Sequence, residues 1–250
     1  MEETLFSNNI KRPLADRLRP QSLQEVVGQD NVIGADAPLG RMVKSGKITS
    51  FILWGPPGCG KTTIARLIAE NTNLYFEQIS AVFSGVADLK KVFAYAEERR
   101  ASQGKDTLLF VDEIHRFNKS QQDGFLPYVE NGTIILVGAT TENPSFEVNS
   151  ALLSRCKVFV LKGLEQSDIV ELLNRAIKDE RGFGQYKINI DDETLNIIAS
   201  FANGDARNAL YTLEMVILNG DYKDDTITVN KEILEQCISK KSLMYAEIIL

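Results

Sequence analysis

Eight residues, Gly55-Pro56-Pro57-Gly58-Cys59-Gly60-Lys61-Thr62, constrain this chain's architecture more than any other feature. They follow the apolar run Phe51-Ile52-Leu53-Trp54 and open a helical pattern that begins at Lys61. GxxxxGK[ST] in that setting is a phosphate loop. Its glycines let backbone N–H groups close around phosphate oxygens, and the dipole of the following helix adds positive potential. By that chemistry Lys61 reaches the β- and γ-phosphates and the Thr62 hydroxyl ligates Mg2+, with Thr63 beside it in the helix's first turn. A glycine-rich connector that binds nothing is the plain alternative. The full pattern between strand and helix argues against it.

A loop of this kind needs a strand feeding a helix, and the rest of the sequence supplies more such pairs. Strands are predicted over 50–54, 74–79, 107–112, 133–139 and 157–161, and helices over 61–71, 86–100, 119–130 and 149–154. Leu108-Leu109-Phe110-Val111 and Ile134-Ile135-Leu136-Val137 are continuously apolar, as strands covered on both faces are. Strands alternating with helices predict an α/β domain on a parallel five-stranded sheet. Beyond Gly163 the pattern becomes helical. Ile169, Leu172, Leu173, Ala176 and Ile177 line one face, and Ala206, Ala209, Leu210, Leu213 and Ile217 line another behind the Gly204-Asp205 start. The expected division is an N-terminal arm over 1–20, a phosphate-loop domain over 21–162, a small all-helical lid over 163–236, and over 237–250 the start of a further helical domain. Tyr245-Ala246-Glu247-Ile248-Ile249-Leu250 stops within an apolar pattern without a cap or breaker, which predicts that the natural chain continues.

Composition removes other classes. The 250 residues are 44% apolar and 25% charged with a net charge of −6, so bulk charge does not draw this chain to nucleic acid, although a local basic surface remains open. No apolar run approaches the roughly 20 residues of a bilayer span, and the N-terminus has no apolar core of a secretion signal. Cys59, Cys156 and Cys237 lack metal-site spacing and predict reduced thiols, and one histidine, His115, cannot build a histidine metal site. These features predict a soluble, cytoplasmic protein with no membrane partner.

Asp112-Glu113 ends a buried strand pattern, where open α/β sheets bind ligands. Asp112 suits a second Mg2+ anchor, and Glu113 a general base that polarises water. A solvated acidic loop is the alternative, weakened by the phosphate loop upstream. The polar end Thr140-Thr141-Glu142-Asn143 offers Thr141 as a holder of water or a sensor of the γ-phosphate, and a threonine turn bonding its own backbone serves equally well. Arg155 follows a short helix, where a cation is favourable in any case. Arg207 stands in a helix first turn, where the dipole disfavours it, so a phosphate partner explains it better than solvent.

Taken together these residues resemble the AAA+ ATPases and, within them, the family of replication-associated recombination protein A. The most specific stretches are Val111-Asp112-Glu113-Ile114-His115-Arg116-Phe117-Asn118-Lys119-Ser120-Gln121-Gln122-Asp123 and Gly138-Ala139-Thr140-Thr141-Glu142-Asn143-Pro144-Ser145-Phe146, the latter followed by Asn149-Ser150-Ala151-Leu152-Leu153-Ser154-Arg155. The resemblance implies that 55–62 is Walker A and Asp112-Glu113 is Walker B. It makes Thr141 sensor 1, Arg207 sensor 2 and Arg155 an arginine finger acting on a neighbouring subunit. Arg19, Pro20, Val27 and Gly28 are similar to the family's adenine-side segment. Also implied are ATP and ADP with Mg2+ as cofactors, a homotetramer, and binding to DNA ends, forks and single-stranded gaps. Replication proteins such as single-stranded DNA-binding protein are implied partners, and the location is at the bacterial nucleoid.

The leading expectation is a Mg2+-dependent ATPase that remodels DNA or replication proteins at stalled forks. A clamp-loader or Holliday-junction motor subunit shares the ATP motif. A P-loop kinase and a nucleotide-switched scaffold are alternatives of other classes. Glu113 and Arg207 favour hydrolysis over the first, and Lys61 with Glu113 argues against the second. Candidate DNA contacts are Arg116, Lys119, Lys90 and Lys91, each equally compatible with ordinary surface charge.

Overall fold

The computed structural model describes residues 12–238. The first part of the expected arm (1–11) and most of the expected further domain (239–250) lie outside the described residues. By its contacts the chain separates into two compact units, one formed by Pro20–Lys162 and the other by the residues up to Arg19 with those from Gly163 onward.

The first unit holds a five-stranded sheet: β1 (Phe51–Trp54), β2 (Tyr75–Ser80), β3 (Thr107–Asp112), β4 (Ile134–Thr140) and β5 (Lys157–Val160), in the order β2-β3-β4-β1-β5. Every pairing is parallel. Alternate residues of the central strands feed opposite cores. Phe51, Leu53, Leu108, Phe110 and Val137 pack with Ile64, Leu67 and Ile68 of helix Lys61–Asn71. Ile52, Leu109, Val111 and Leu136 pack with Leu89, Phe93 and Ala96 of helix Val86–Gln103. This two-sided cover explains the unbroken apolar runs. A Cβ on Gly138 in β4 would sit 2.6 Å from Ile52 Cδ1 and 2.9 Å from Ile114 Cδ1, so the close approach of β1, β4 and the turn after β3 requires glycine there.

One expected element differs. The helical pattern over 119–130 forms two short helices, Lys119–Asp123 and Leu126–Glu130, with Pro127 in the first turn of the second. Proline lacks an N–H to bond back to the preceding turn, so the helix restarts around it.

In the second unit helices Gln166–Lys178, Asp192–Ala202 and Ala206–Leu218 pack together, and the short helix Leu14–Arg17 packs on the last of them. Asp191 and Asp205 start two of these helices by accepting backbone N–H groups through their side chains. The N-terminal segment is anchored by a buried glutamate: Glu214 accepts Leu14 N–H at 3.0 Å and Arg17 Nη2 at 3.1 Å. Arg17 Nη1 also donates to Arg181 O and Gly182 O at 2.9 and 3.0 Å. The lid is helical as expected, and it carries in addition a small sheet of β6 (Lys187–Asn189), β7 (Asp221–Lys223) and β8 (Thr226–Thr228). Its hairpin turns on Asp224 and Asp225, both at positive φ (50° and 59°), a conformation short acidic side chains tolerate. Strands of three mostly polar residues leave no periodic signal in the sequence.

Candidate nucleotide site

The 55–62 loop leaves β1 and enters helix Lys61–Asn71. Gly58 and Gly60 adopt left-handed φ values of 67° and 98°, which lets the backbone curl at the helix start. Gly55 is packed so closely that a Cβ would meet Leu161 O at 2.7 Å. Lys61 is only 9% exposed, and its ammonium donates to Gly55 O and Pro56 O at 2.7 and 2.8 Å. A nearly buried cation held by neutral carbonyls alone is favourably placed for an anion at the loop. Val26 packs in the same core as Cys59 and Ile64 and places Val27 and Gly28 beside the loop's own packing partners.

The sheet register assembles the remaining candidates. β4 lies between β1 and β3, with Trp54 opposite Thr140 and Val111 opposite Gly138. The carboxyl ends of these strands therefore bring the phosphate loop, Asp112-Glu113 and Thr140-Thr141 to one edge. Gly55 N–H donates to Thr140 O at 3.1 Å, joining the loop directly to that strand end. Thr62 and Asp112 present oxygen ligands, the donor type that Mg2+ selects. Among the described residues no cluster of three or more acidic, histidine or cysteine side chains forms a protein-only metal cage.

Glu113 occupies the left-handed region at φ 53°, ψ 47°, a conformation that costs a non-glycine residue on the order of 1–3 kcal/mol. Its Oε2 is 3.2 Å from His115 Nδ1, which is also 2.9 Å from Thr140 Oγ1. The hydrogen bond of Nδ1 is with Thr140 Oγ1, and the Glu113 carboxylate stands beside it as a close polar contact. Thr140 Oγ1 in turn donates to Glu142 O at 3.2 Å and accepts Glu142 N–H at 3.0 Å. His115 thus ties the acidic pair to the polar end of β4.

Thr141 follows β4 directly and is half-buried at the same edge. Arg155 is exposed at the end of the short helix Ser150–Leu153: its Nε donates to Glu130 Oε1 at 2.6 Å and its Nη1 to Ala151 O at 2.7 Å. Arg207 is in the other unit, exposed in its helix's first turn, with Asp205 accepting its backbone N–H at 2.8 Å. Arg19 pairs with Asp16 at 2.9 Å in that same unit, whereas Pro20 begins the α/β unit. Arg116, Lys119, Lys90 and Lys91 are all exposed.

Three residues that motif reading passes over support this edge. His115 is the first. Gln29, fully buried, donates to Lys162 O at 2.7 Å and Cys59 O at 3.4 Å, and accepts Lys162 N–H at 3.3 Å. Gln122, also buried, donates to Phe117 O and Glu147 O at 2.9 and 3.1 Å and accepts Asn149 N–H at 2.7 Å. It thereby fastens the segment after Asp112-Glu113 to the one leading to Arg155. Gln122 lies inside a stretch quoted from the sequence, and Gln29 directly follows Val27 and Gly28. Their role depends on burial, which a polar residue type does not advertise.

Cys156, next to Arg155, has its thiol pushed up to about 12 by burial, so it remains a thiol at neutral pH. No helix among the described residues is long and apolar enough to cross a membrane.

Comparison with known proteins bears on the family and the fold. Residues 51–164 match the model of the ATPase family associated with various cellular activities (AAA), and residues 184–247 match an AAA C-terminal domain. The chain is 49% identical over 242 residues to replication-associated recombination protein A of Escherichia coli K12, covering 96% of this chain and 54% of that protein. It is 44% identical over 217 residues to ATPase WRNIP1 of Dictyostelium discoideum, covering 85% of this chain and 24% of that protein. Among solved structures it superposes on the RuvB Holliday junction branch migration motor of Thermotoga maritima with a TM-score of 0.68 at 27% identity, covering 88% of this chain and 72% of that one. The chain spans about half the length of the recombination proteins it matches. Sheet, loop and relatives converge: the chain belongs to the AAA ATPases, in the family of replication-associated recombination protein A.

Proposed function

We propose that this chain is the Mg2+-dependent ATP-hydrolysing module of a protein that remodels DNA or replication proteins at stalled forks. The observation that carries the reading is the shared edge of β1, β3 and β4, where the phosphate loop, Asp112-Glu113 and Thr140-Thr141 meet. In this reading the 55–62 loop and Lys61 hold the phosphates, and Thr62 and Asp112 hold Mg2+, which neutralises charge on the transferred phosphoryl group. Glu113 accepts the proton of the attacking water, and Thr141 orients that water. Arg155 supplies charge to a neighbour's site, and Arg207 acts as a second sensor of the nucleotide. The segment from Arg19 and Pro20 to Val27 and Gly28 faces adenine. The working assembly is a homotetramer acting in the cytoplasm at the nucleoid, on single-stranded gaps, ends or forks, with single-stranded DNA-binding protein among its partners. The names of its relatives support replication and recombination as the setting.

Glu113→Gln and Lys61→Ala test the chemistry together. Glu113→Gln keeps ATP affinity and loses on the order of 10²–10⁴-fold in turnover. Lys61→Ala loses ATP affinity itself. Steady-state phosphate release and binding of a labelled ATP analogue read both, and undiminished hydrolysis by Glu113→Gln rejects the assignment. Accumulation of a phosphorylated small molecule in place of free phosphate would return the reading to a kinase.

A further inference from the structure

Arg155 stands on very little structure of its own. The helix before it, Ser150–Leu153, is a single turn, too short to hold its place by backbone bonds alone. Asn149 opens that turn. Its side chain accepts Ala151 N–H at 2.8 Å, and its carbonyl accepts Leu152 and Leu153 N–H at 3.0 and 2.9 Å. Ser150 O and Leu152 O then accept the N–H groups of Ser154 and Arg155 at 2.9 and 3.0 Å. The guanidinium bonds back to the same turn through Ala151 O at 2.7 Å. Where Asn149 sits therefore decides where Arg155 points.

Asn149 is held by one buried side chain. Gln122, 1% exposed in helix Lys119–Asp123, accepts Asn149 N–H at 2.7 Å and donates to Glu147 O at 3.1 Å, gripping the chain on both sides of Val148. Its other amide hydrogen goes to Phe117 O at 2.9 Å. Asp123 Oδ1 adds a bond from Asn149 Nδ2. Val148 and Leu152 are buried in the core that also holds Phe117 and Phe125, but apolar contacts carry no direction. They set the depth of the turn. Hydrogen bonds have a narrow geometry, and the three from Gln122 set its rotation. Removing them leaves Asn149 N–H unpaired and the turn free to shift.

From this arrangement we infer that Gln122 is a positioning residue for Arg155. It acts on ATP hydrolysis in the neighbouring subunit, through the finger, and not on the nucleotide site of its own chain. The side-chain bonds of Gln122 go to Phe117, Glu147 and Asn149, and none goes to the phosphate loop, the acidic pair or Thr141. This inference deepens the proposed ATPase reading and rests on its finger acting between subunits.

Gln122→Met in the full chain tests it, because methionine fills a similar space without the amide's hydrogen bonds. Turnover per chain, read at concentrations where it has reached a plateau, is expected to fall about 10- to 100-fold, the cost of misplacing a catalytic group by about 1 Å. Affinity for a labelled ATP analogue and assembly by sedimentation are expected to match the parent. In an Arg155→Ala background the same change should cost nothing further, since both act through one group. Mixing reads the direction of the defect. Gln122→Met chains mixed with Glu113→Gln chains should regain turnover, because sound fingers then face sound glutamates. Mixed with Arg155→Ala chains they should not. A merely structural defect would spoil the chain's own nucleotide site too, and neither mixture would recover. Asn149→Ala, at the partly exposed end of the same link, should show the same pattern more mildly, and it carries the test if Gln122→Met does not fold. Parental turnover in both variants, loss of assembly in both, a further loss beyond Arg155→Ala, or recovery in neither mixture overturns the inference and leaves the finger reading standing. Parental turnover in Arg155→Ala fails the finger reading itself, and the inference with it.

Discussion

His115 Nδ1 lies 3.2 Å from Glu113 Oε2, a contact between residues two positions apart that the left-handed backbone of Glu113 makes possible. The imidazole therefore sets where the carboxylate points, and through Thr140 Oγ1 at 2.9 Å it links that carboxylate to the end of β4. A small misplacement of a catalytic group can cost up to about 10²-fold, so His115→Ala should lower kcat about 10- to 100-fold with ATP affinity unchanged. His115→Asn, whose side-chain N–H stands near the position of Nδ1–H, should recover part of that loss, and His115→Gln less of it. Equal turnover in all three variants would show that Glu113 is held by its backbone alone.

Arg155 and Glu130 are both exposed and paired through the guanidinium. Such surface pairs contribute about 0.2–1 kcal/mol, so Arg155→Ala should leave Tm nearly unchanged. As a finger acting on a neighbouring subunit, it should instead lower turnover on the order of 10³–10⁵-fold wherever subunits assemble. Mixing Arg155→Ala with Glu113→Gln chains should restore some activity, because intact fingers then face intact glutamates. Turnover per chain that is high and independent of concentration would make Arg155 a helix-end cation bonded to Ala151 O and nothing more.

Glu214 holds the N-terminal segment to the helical unit through Leu14 N–H and Arg17. Glu214→Ala leaves a buried N–H unsatisfied and should cost about 1–3 kcal/mol in unfolding free energy. The change should also expose the bond after Arg17 to trypsin before global unfolding. Arg17→Ala should give a related but smaller loss. A thermal melt checks both variants and trypsin cleavage after Arg17 checks the first, where an unchanged cleavage rate would mean that apolar packing of Leu14 and Leu18 suffices.

Acid sensitivity should be visible at the loop that receives Arg17. The Arg181 guanidinium, hydrogen-bonded to Asp179 at 2.7 Å, holds the Asp179 carboxyl below its ordinary range, against a smaller opposing effect of burial. A depressed folded pKa stabilises the native state above the unfolded value of about 3.9, and the contribution disappears as pH falls through the lower folded value. Asp179→Asn should therefore lower Tm near neutral pH, with the gap to the parent closing below about pH 4. Melting curves of both chains across that window give the test, and a gap that is constant with pH would reject the charge-based account.

The sequence by itself determined the parallel sheet, the phosphate loop and the acidic pair, because each rests on local chemistry. An apolar run covered on both faces, a glycine pattern entering a helix, and carboxylates at a strand end all carry their cause in neighbouring residues. The expected strands match the observed ones to within a residue at either end. Tertiary structure decided what connects these pieces. His115 turns toward Glu113 only because the turn after β3 is left-handed, and Gln29 and Gln122 became clamps because folding buried them against unpaired backbone groups. The attachment of the Leu14–Arg17 helix to Glu214, nearly the whole chain away in sequence, has no periodicity to betray it. Side-chain type and spacing encode what a residue can do; which buried polar group it must satisfy is set by what the fold brings alongside it.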